Sequence, residues 1–306
     1  MSAPPKLDSQ LVRGRFNAAA SVQAKSGVSD YATAAVVQRE VGNRLLERFD
    51  FMKLTPQTIL DVGCGPGTHS GALRARFPNA NVVAIDHARA MVDLASPAPS
   101  GILAKLSRQS RDSGVVADMA KLPIKHGVAD VLWSNFALQW ANDLPALFAE
   151  WNRAVKVDGV LMFTMPGPDT LIELRRAVTQ ALPSRVSSLH VHTDLHDIGD
   201  MLVHAGFADP VMDMEVITLE YKTTDALWRD LRAQGAMSAV ASRAHGCLSP
   251  HAWARLNDAL NAQRDANGMI RISVEVVYGH AWKVPPKKTA DGHGIVRLDA
   301  IGRGSR

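Results

Sequence analysis

Leu60-Asp61-Val62-Gly63-Cys64-Gly65-Pro66-Gly67-Thr68 closes the apolar run that begins at Thr58, and it opens a helical stretch that ends near Arg76, before the breaker Pro78-Asn79. A short apolar run ending in a glycine-rich turn reads as a buried strand that delivers its C-terminal end to a loop. Three glycines at alternate positions allow φ > 0 and a close approach of a ligand to the backbone. A dinucleotide fingerprint would be spaced G-x-G-x-x-G, with a pyrophosphate on the helix N-terminus. Here the spacing is G-x-G-x-G and an acidic residue, Asp61, precedes it. A carboxylate at that place repels a pyrophosphate. It suits a ligand carrying an ammonium or a sulfonium group, so the loop points away from NAD and towards S-adenosylmethionine.

Outward from this loop the chain alternates strand and helix. Asn81 to Ile85 reads as a strand ending at Asp86, and Arg89 to Leu94 as a helix. After a connection over 96–113 with weak periodicity comes a short strand, Val115 to Ala117, ending at Asp118. Ala129 to Ser134 is a strand, Leu144 to Val155 a helix, Val157-Asp158-Gly159 a turn, and Val160 to Met165 a fifth strand. Such alternation specifies a parallel sheet with helices on both faces, and ligands of these sheets bind at the strand C-termini. Asp86 is placed to accept from both ribose hydroxyls, and Asp118 from the adenine amino group. Met91 and Met119 are expected beside the adenine. The full cofactor set read from the sequence is Asp61, Gly63, Cys64, Gly65, Gly67, Asp86, His87, Met91, Asp118, Met119 and Asn135. Asn135 fits a turn role almost as well.

The flanks read differently. Residues 1–30 are expected to be a tail, and Tyr31 to Phe51 an amphipathic helix carrying Val37, Val41, Leu45 and Phe49 at helical spacing. Asp194 looks like an N-cap for Leu195 to His204, with Gly206 as the stop. Pro210 to Tyr221 and Ile270 to Trp282 read as strands, with helical segments near 224–236 and 250–266 between them. Residues 284–306 read as a polar tail. The histidines 190, 192 and 196 lack a Cys or Glu that would complete a metal set, and read as surface or supporting histidines.

Composition bounds the class. The 306 residues are 46% hydrophobic and 21% charged, which suits one large core with a smaller attached lobe. No apolar run reaches the roughly 20 residues of a bilayer span, and the start lacks a signal peptide, so a cytoplasmic enzyme with no membrane partner is expected. Two cysteines, Cys64 and Cys247, make neither a disulfide framework nor a zinc site. A net charge of +4 is too small, and 6% aromatics too few, for a nucleic-acid platform. The exocyclic-amine signature of an acidic or Asn residue before Pro-Pro-aromatic is absent after the fourth strand, where Ser134-Asn135-Phe136-Ala137-Leu138-Gln139-Trp140 stands.

Val37-Gln38-Arg39-Glu40-Val41, Ile59 to Gly67, Ser134 to Trp140, and Gly167-Pro168-Asp169-Thr170-Leu171 with Glu173-Leu174-Arg175 resemble the malonyl-[acyl-carrier protein] O-methyltransferases of biotin synthesis. The resemblance covers about residues 31–283. The glycine loop is common to class I methyltransferases, whereas the segments at 134–140 and 167–175 are more specific. The N-terminal pattern departs from the family: Phe16-Asn17-Ala18-Ala19-Ala20 lacks an Arg, and Tyr31 lies further along, as if about eight residues were inserted. The resemblance implies a Rossmann-like α/β fold with a seven-stranded mixed sheet, the last strand antiparallel, and a small helical lid, here an insertion at about 222–268. It implies S-adenosylmethionine as cofactor and a malonyl group on acyl carrier protein as acceptor. A carboxylate acceptor needs an arginine fork. Arg175, Arg229 and Arg232 are the candidates, with Tyr31 also on the substrate side. An acidic carrier would suit a mildly basic surface that includes Lys105, Arg108 and Arg111. Two other readings stay open. Val276 to Lys283 resembles a group that assembles respiratory complex I and hydroxylates an arginine, and a small-molecule methyltransferase acting on a quinone precursor is the second.

Overall fold

The computed structural model describes residues 5–20, 30–96, 112–244 and 246–285. Strands β1 (Thr58–Val62), β2 (Asn81–Asp86), β3 (Asp112–Val116), β4 (Ala129–Asn135) and β5 (Val155–Pro166) are parallel. Strand β7 (Ile270–Lys283) lies between β5 and β6 (Phe207–Tyr221) and is antiparallel to both. The order β3-β2-β1-β4-β5-β7-β6 is the expected seven-stranded mixed sheet. The direction of connection reverses between β1 and β4, which opens a crevice at their C-terminal ends.

Apolar side chains leave both faces of the central strands, so each face carries its own core. Leu60 and Val62 pack with Leu147, Phe148 and Trp151 of α6 (Leu144–Ala154) and with Ile198 and Leu202 of α8 (Leu195–His204). On the other face Ile59, Val131 and Trp133 meet Val41 and Leu45 of α3 (Val36–Glu47) and Leu73 of α4 (Thr68–Arg76). In chain order α5 (Arg89–Ala95) follows α4. Helix starts follow side-chain chemistry. Asp143, Asp194, Thr223 and Ser249 each accept from a backbone N–H of the first turn, a cap that contributes about 1 kcal/mol.

The structure corrects several expectations. The segment Val157-Asp158-Gly159 is not a turn before β5 but an irregularity inside it: Ala129 pairs with Val155 and Val131 with Val160, and Asp158 takes φ 63° to absorb the extra residues. The long helix from Tyr31 is split into α2 (Asp30–Ala34) and α3 by Ala35, followed by a 3₁₀ turn over Arg48–Phe51. Part of the supposed N-terminal tail is ordered: α1 (Ser9–Ala19), capped by Asp8, buries Val12 and Ala19. It is stitched to the far side of the chain by Asp8 N–H to Ala239 O (2.8 Å), Ala241 N–H to Lys6 O (2.8 Å) and Arg15 to the carbonyls of Met237 and Ser238.

A third core lies beyond the sheet. Helices α7 (Ile172–Ala181), α9 (Thr224–Ala233) and α10 (Pro250–Asn261) bring Leu174, Val178, Leu227, Trp228, Leu231, Leu256 and Leu260 against Ile270 and Ile272. Within 222–268 the described residues form the helices α9 and α10 with a non-helical stretch between them, and α7, outside those bounds, packs in the same core. Lys105, Arg108 and Arg111 lie outside the described residues, as do most of the stretch 284–306 and residues 21–29. No helix among the described residues is long and apolar enough to cross a membrane.

Candidate active site

The loop after β1 turns back over the end of β2. Gly63 and Cys64 both donate their N–H to Ile85 O, at 2.8 and 3.0 Å. Gly65 then donates to Asp86 Oδ2 at 3.0 Å, while Ala88 donates to Asp86 Oδ1 at 2.8 Å. These bonds fix the Asp86 carboxylate at the rim of a cavity of about 450 Å³. Gly63, Gly65, Asp86, His87, Asp118, Met119 and Asn135, seven of the residues named from the sequence, line that cavity. Asp118 is held by an N–H···O bond from Ala120 (2.9 Å), and Met119 by its carbonyl, which accepts from the Trp151 indole at 3.0 Å. A smaller space of about 40 Å³ continues past Gly63 to Asp61, Cys64 and Gln38.

Two of the eleven expected residues, Gly67 and Met91, line neither of these spaces, and the side chain of a third, Asn135, is engaged elsewhere. Gly67 lines neither space; a Cβ there would come within 2.5 Å of Ala95 Cα, so this glycine lets α4 and α5 approach. Met91 is fully buried among Ala19, Ala20 and Ala88 and supports α1 rather than an adenine. Asn135 borders the cavity, yet both ends of its amide are engaged: Nδ2 donates to Gln38 O (2.8 Å) and Oδ1 accepts from Thr164 (2.6 Å). It ties β4 to α3 and β5.

Electrostatics favour a cation at one end. Asp61 is buried and accepts from Ser70 Oγ at 2.5 Å, and burial pushes its carboxyl up to about 7. Burial raises Asp86 as well, against the pull of the N–H groups that it accepts from. Each carboxylate would therefore gain from a positive or hydrogen-donating ligand. His87, which also lines the cavity, has a buried Nε2 with no hydrogen-bond partner among the described residues. Carboxylates suited to hydroxyl and amino groups at one end, a buried acid beyond the glycine loop at the other, and backbone between them fit S-adenosylmethionine.

A second cavity of about 330 Å³ adjoins the first. Phe16, Tyr31, Phe136 and Trp140 line both. Phe16 makes edge contacts with Tyr31, His87 and Trp140 at ring separations of 6.1, 5.9 and 5.4 Å. The rest of its lining is mostly apolar, from α7, α9 and α10, with Arg175 among the polar exceptions. Arg175 donates from Nη2 to His190 O at 2.8 Å. Arg229 and Arg232 do not reach this cavity. They stand exposed on the outer face of α9, whose inner face presents Leu227, Trp228 and Leu231.

Sequence reading also missed residues. Val12, Arg13 and Phe16 line the cofactor cavity from α1, and the signal was the Asp8 cap with Val12, Phe16 and Ala19 at helical spacing. Of the two readings given to His190 and His192, surface or supporting, the structure sets aside the first. Both line the second cavity, where burial holds their rings neutral, down to about 4 and about 3.

Fold and site together define a class I methyltransferase, and a family model described as a methyltransferase domain matches residues 60–163. The YcgJ protein from Bacillus subtilis has the same fold, with a TM-score of 0.55 at 15% identity, over 80% of this chain and 99% of that one. The chain belongs to the malonyl-[acyl-carrier protein] O-methyltransferase family. It is 42% identical over 291 residues to the member from Gallionella capsiferriformans, covering 95% of this chain and 96% of that protein. The member from Laribacter hongkongensis is 42% identical over 298 residues, again covering 95% and 96%. S-Adenosylmethionine is the cofactor of this methyltransferase.

Proposed function

We propose that this chain methylates the free carboxylate of a malonyl group carried as a thioester on acyl carrier protein, a step of biotin synthesis. The observation that carries the reading is the second cavity: a largely apolar space with Arg175 in it that shares Phe16, Tyr31, Phe136 and Trp140 with the cofactor cavity. When bound, S-adenosylmethionine supplies a methyl group on an electrophilic sulfonium. Gly63, Gly65, Asp86 and Asp118 would hold its nucleoside part, and Asp61 its ammonium end. A carboxylate is already ionised at neutral pH, so no general base is needed. The protein's part is to align the carboxylate and to exclude water. Arg175 has N–H groups beyond the one given to His190, and its fork would hold the acid. Phe16, Tyr31, Phe136 and Trp140 would screen the reacting groups. In this reading α1 and the α7, α9 and α10 unit form the lid.

The test is mass spectrometry of malonyl-carrier after incubation with S-adenosylmethionine. The expected gain is one methyl on the acyl chain, removed by mild base. Tight cofactor binding without any transfer would instead favour a cofactor-binding assembly factor or a small-molecule enzyme.

A further inference from the structure

The second cavity holds another polar group whose direction is set by its surroundings. Ala239 N–H lies 3.1 Å from His190 Nε2. A peptide N–H can only donate, so Nε2 carries the lone pair and the hydrogen of the neutral ring sits on Nδ1. Nδ1 has no hydrogen-bond partner among the described residues, and it is not sealed from the cavity that His190 lines. The charged and titratable groups that bear on the ring are Arg15 from α1, Arg175 from α7 and His192 beside it; burial first, and Arg15 second, keep the ring uncharged. Its place is fixed from three sides: Arg175 holds its carbonyl, Ala239 holds Nε2, and the Trp140 ring meets it edge-on at 5.2 Å. Trp140 also lines the cofactor cavity, so His190 stands one ring away from it. Ala239 in turn is held by Asp8 N–H, so the N-terminal segment takes part in setting this tautomer.

We propose that His190, through Nδ1–H, holds the oxygen of the acceptor carboxylate that is not methylated and so points the other oxygen at the cofactor. This rests on the carboxylate reading above. The chemistry favours a neutral donor at this place. A second full positive charge beside Arg175 would draw electron density from the nucleophilic oxygen, whereas an N–H dipole gives direction at little cost in nucleophilicity. Arg175 supplies the charge and His190 the orientation.

Two measurements test it. In wild-type protein labelled with ¹⁵N-histidine, the His190 ring should show the Nδ1–H tautomer and stay neutral from about pH 5.5 to 8. An Nε2–H ring, or titration near the ordinary histidine value, overturns the assignment. In turnover with malonyl-carrier, His190→Phe keeps the ring volume and should lower kcat about ten- to hundredfold, with cofactor affinity unchanged. His190→Asn, whose amide nitrogen falls near the Nδ1 position, should recover most of that loss. Unchanged kcat in His190→Phe while the wild type is active overturns this assignment alone. A wild type inactive on every malonyl thioester overturns the carboxylate reading, and this assignment with it.

Discussion

The two cavities share an aromatic wall but are made of different material. The cofactor cavity is bounded by the ends of β1, β2, β3 and β4 on one side and by α1 with the shared aromatic side chains on the other, and its aspartates are pinned by peptide N–H groups at 2.8–3.0 Å. The second is bounded by long side chains of α7, α9 and α10, whose helices pack on one another and on the start of β7. The first can recognise one ligand by fixed geometry. The second offers Arg175, where we propose the acid is held, in a mostly apolar surround. Substitutions in the first should therefore act on cofactor affinity, and substitutions in the second on turnover.

The largest expected effect is at Gly65, which takes φ 52° and lines the cofactor cavity. Gly65→Val places a branched side chain in strained backbone where the ligand must pass, and calorimetry should find cofactor affinity reduced more than a hundredfold, about 3 kcal/mol or more. Arg175→Ala should lower turnover on malonyl thioester by about two orders of magnitude, because losing one charged partner typically costs about 2–5 kcal/mol. Asp86→Ala should weaken cofactor binding by about 2–3 kcal/mol, as bonds to a charged acceptor are the strong ones. Equal loss of cofactor affinity in Arg175→Ala and Asp86→Ala would break the distinction between the cavities.

A smaller effect follows from Asp61. Its carboxyl is raised to about 7, so in the unliganded protein ionisation is unfavourable and costs stability as pH rises through that value. An ammonium group reverses the cost by favouring the anion. Cofactor affinity should fall below about pH 7, by at most about tenfold per pH unit, and level off above it. Asp61→Asn should flatten that profile. A profile that is already flat in the wild type would place the ammonium elsewhere.

How much of this was legible follows the same division. The glycine loop and the aspartates ending β2 and following β3 are local features, and a strand's end is marked by its own residues, so the cofactor cavity was readable. Gly67 and Met91 misled because their roles depend on what packs against them, Ala95 and α1 respectively. Helix α1 was hidden because its surface residues are polar and its one cavity-facing aromatic, Phe16, finds Trp140 far along the chain. His190 could not be assigned from sequence at all, since its tautomer is set by Ala239 across 49 residues. Arg175, named from a family-like segment, lines the second cavity, whereas Arg229 and Arg232 share its residue type but stand exposed on α9.

The central claim is that the second cavity admits an acid and directs the methyl to it. The direct measurement offers labelled S-adenosylmethionine to one carrier loaded either with malonyl or with butyryl, an uncharged chain of similar length. Base-labile label should appear on the malonyl chain alone and fall sharply in Arg175→Ala, with cofactor affinity unchanged. Equal labelling of both chains, or none on either despite tight cofactor binding, would contradict the account.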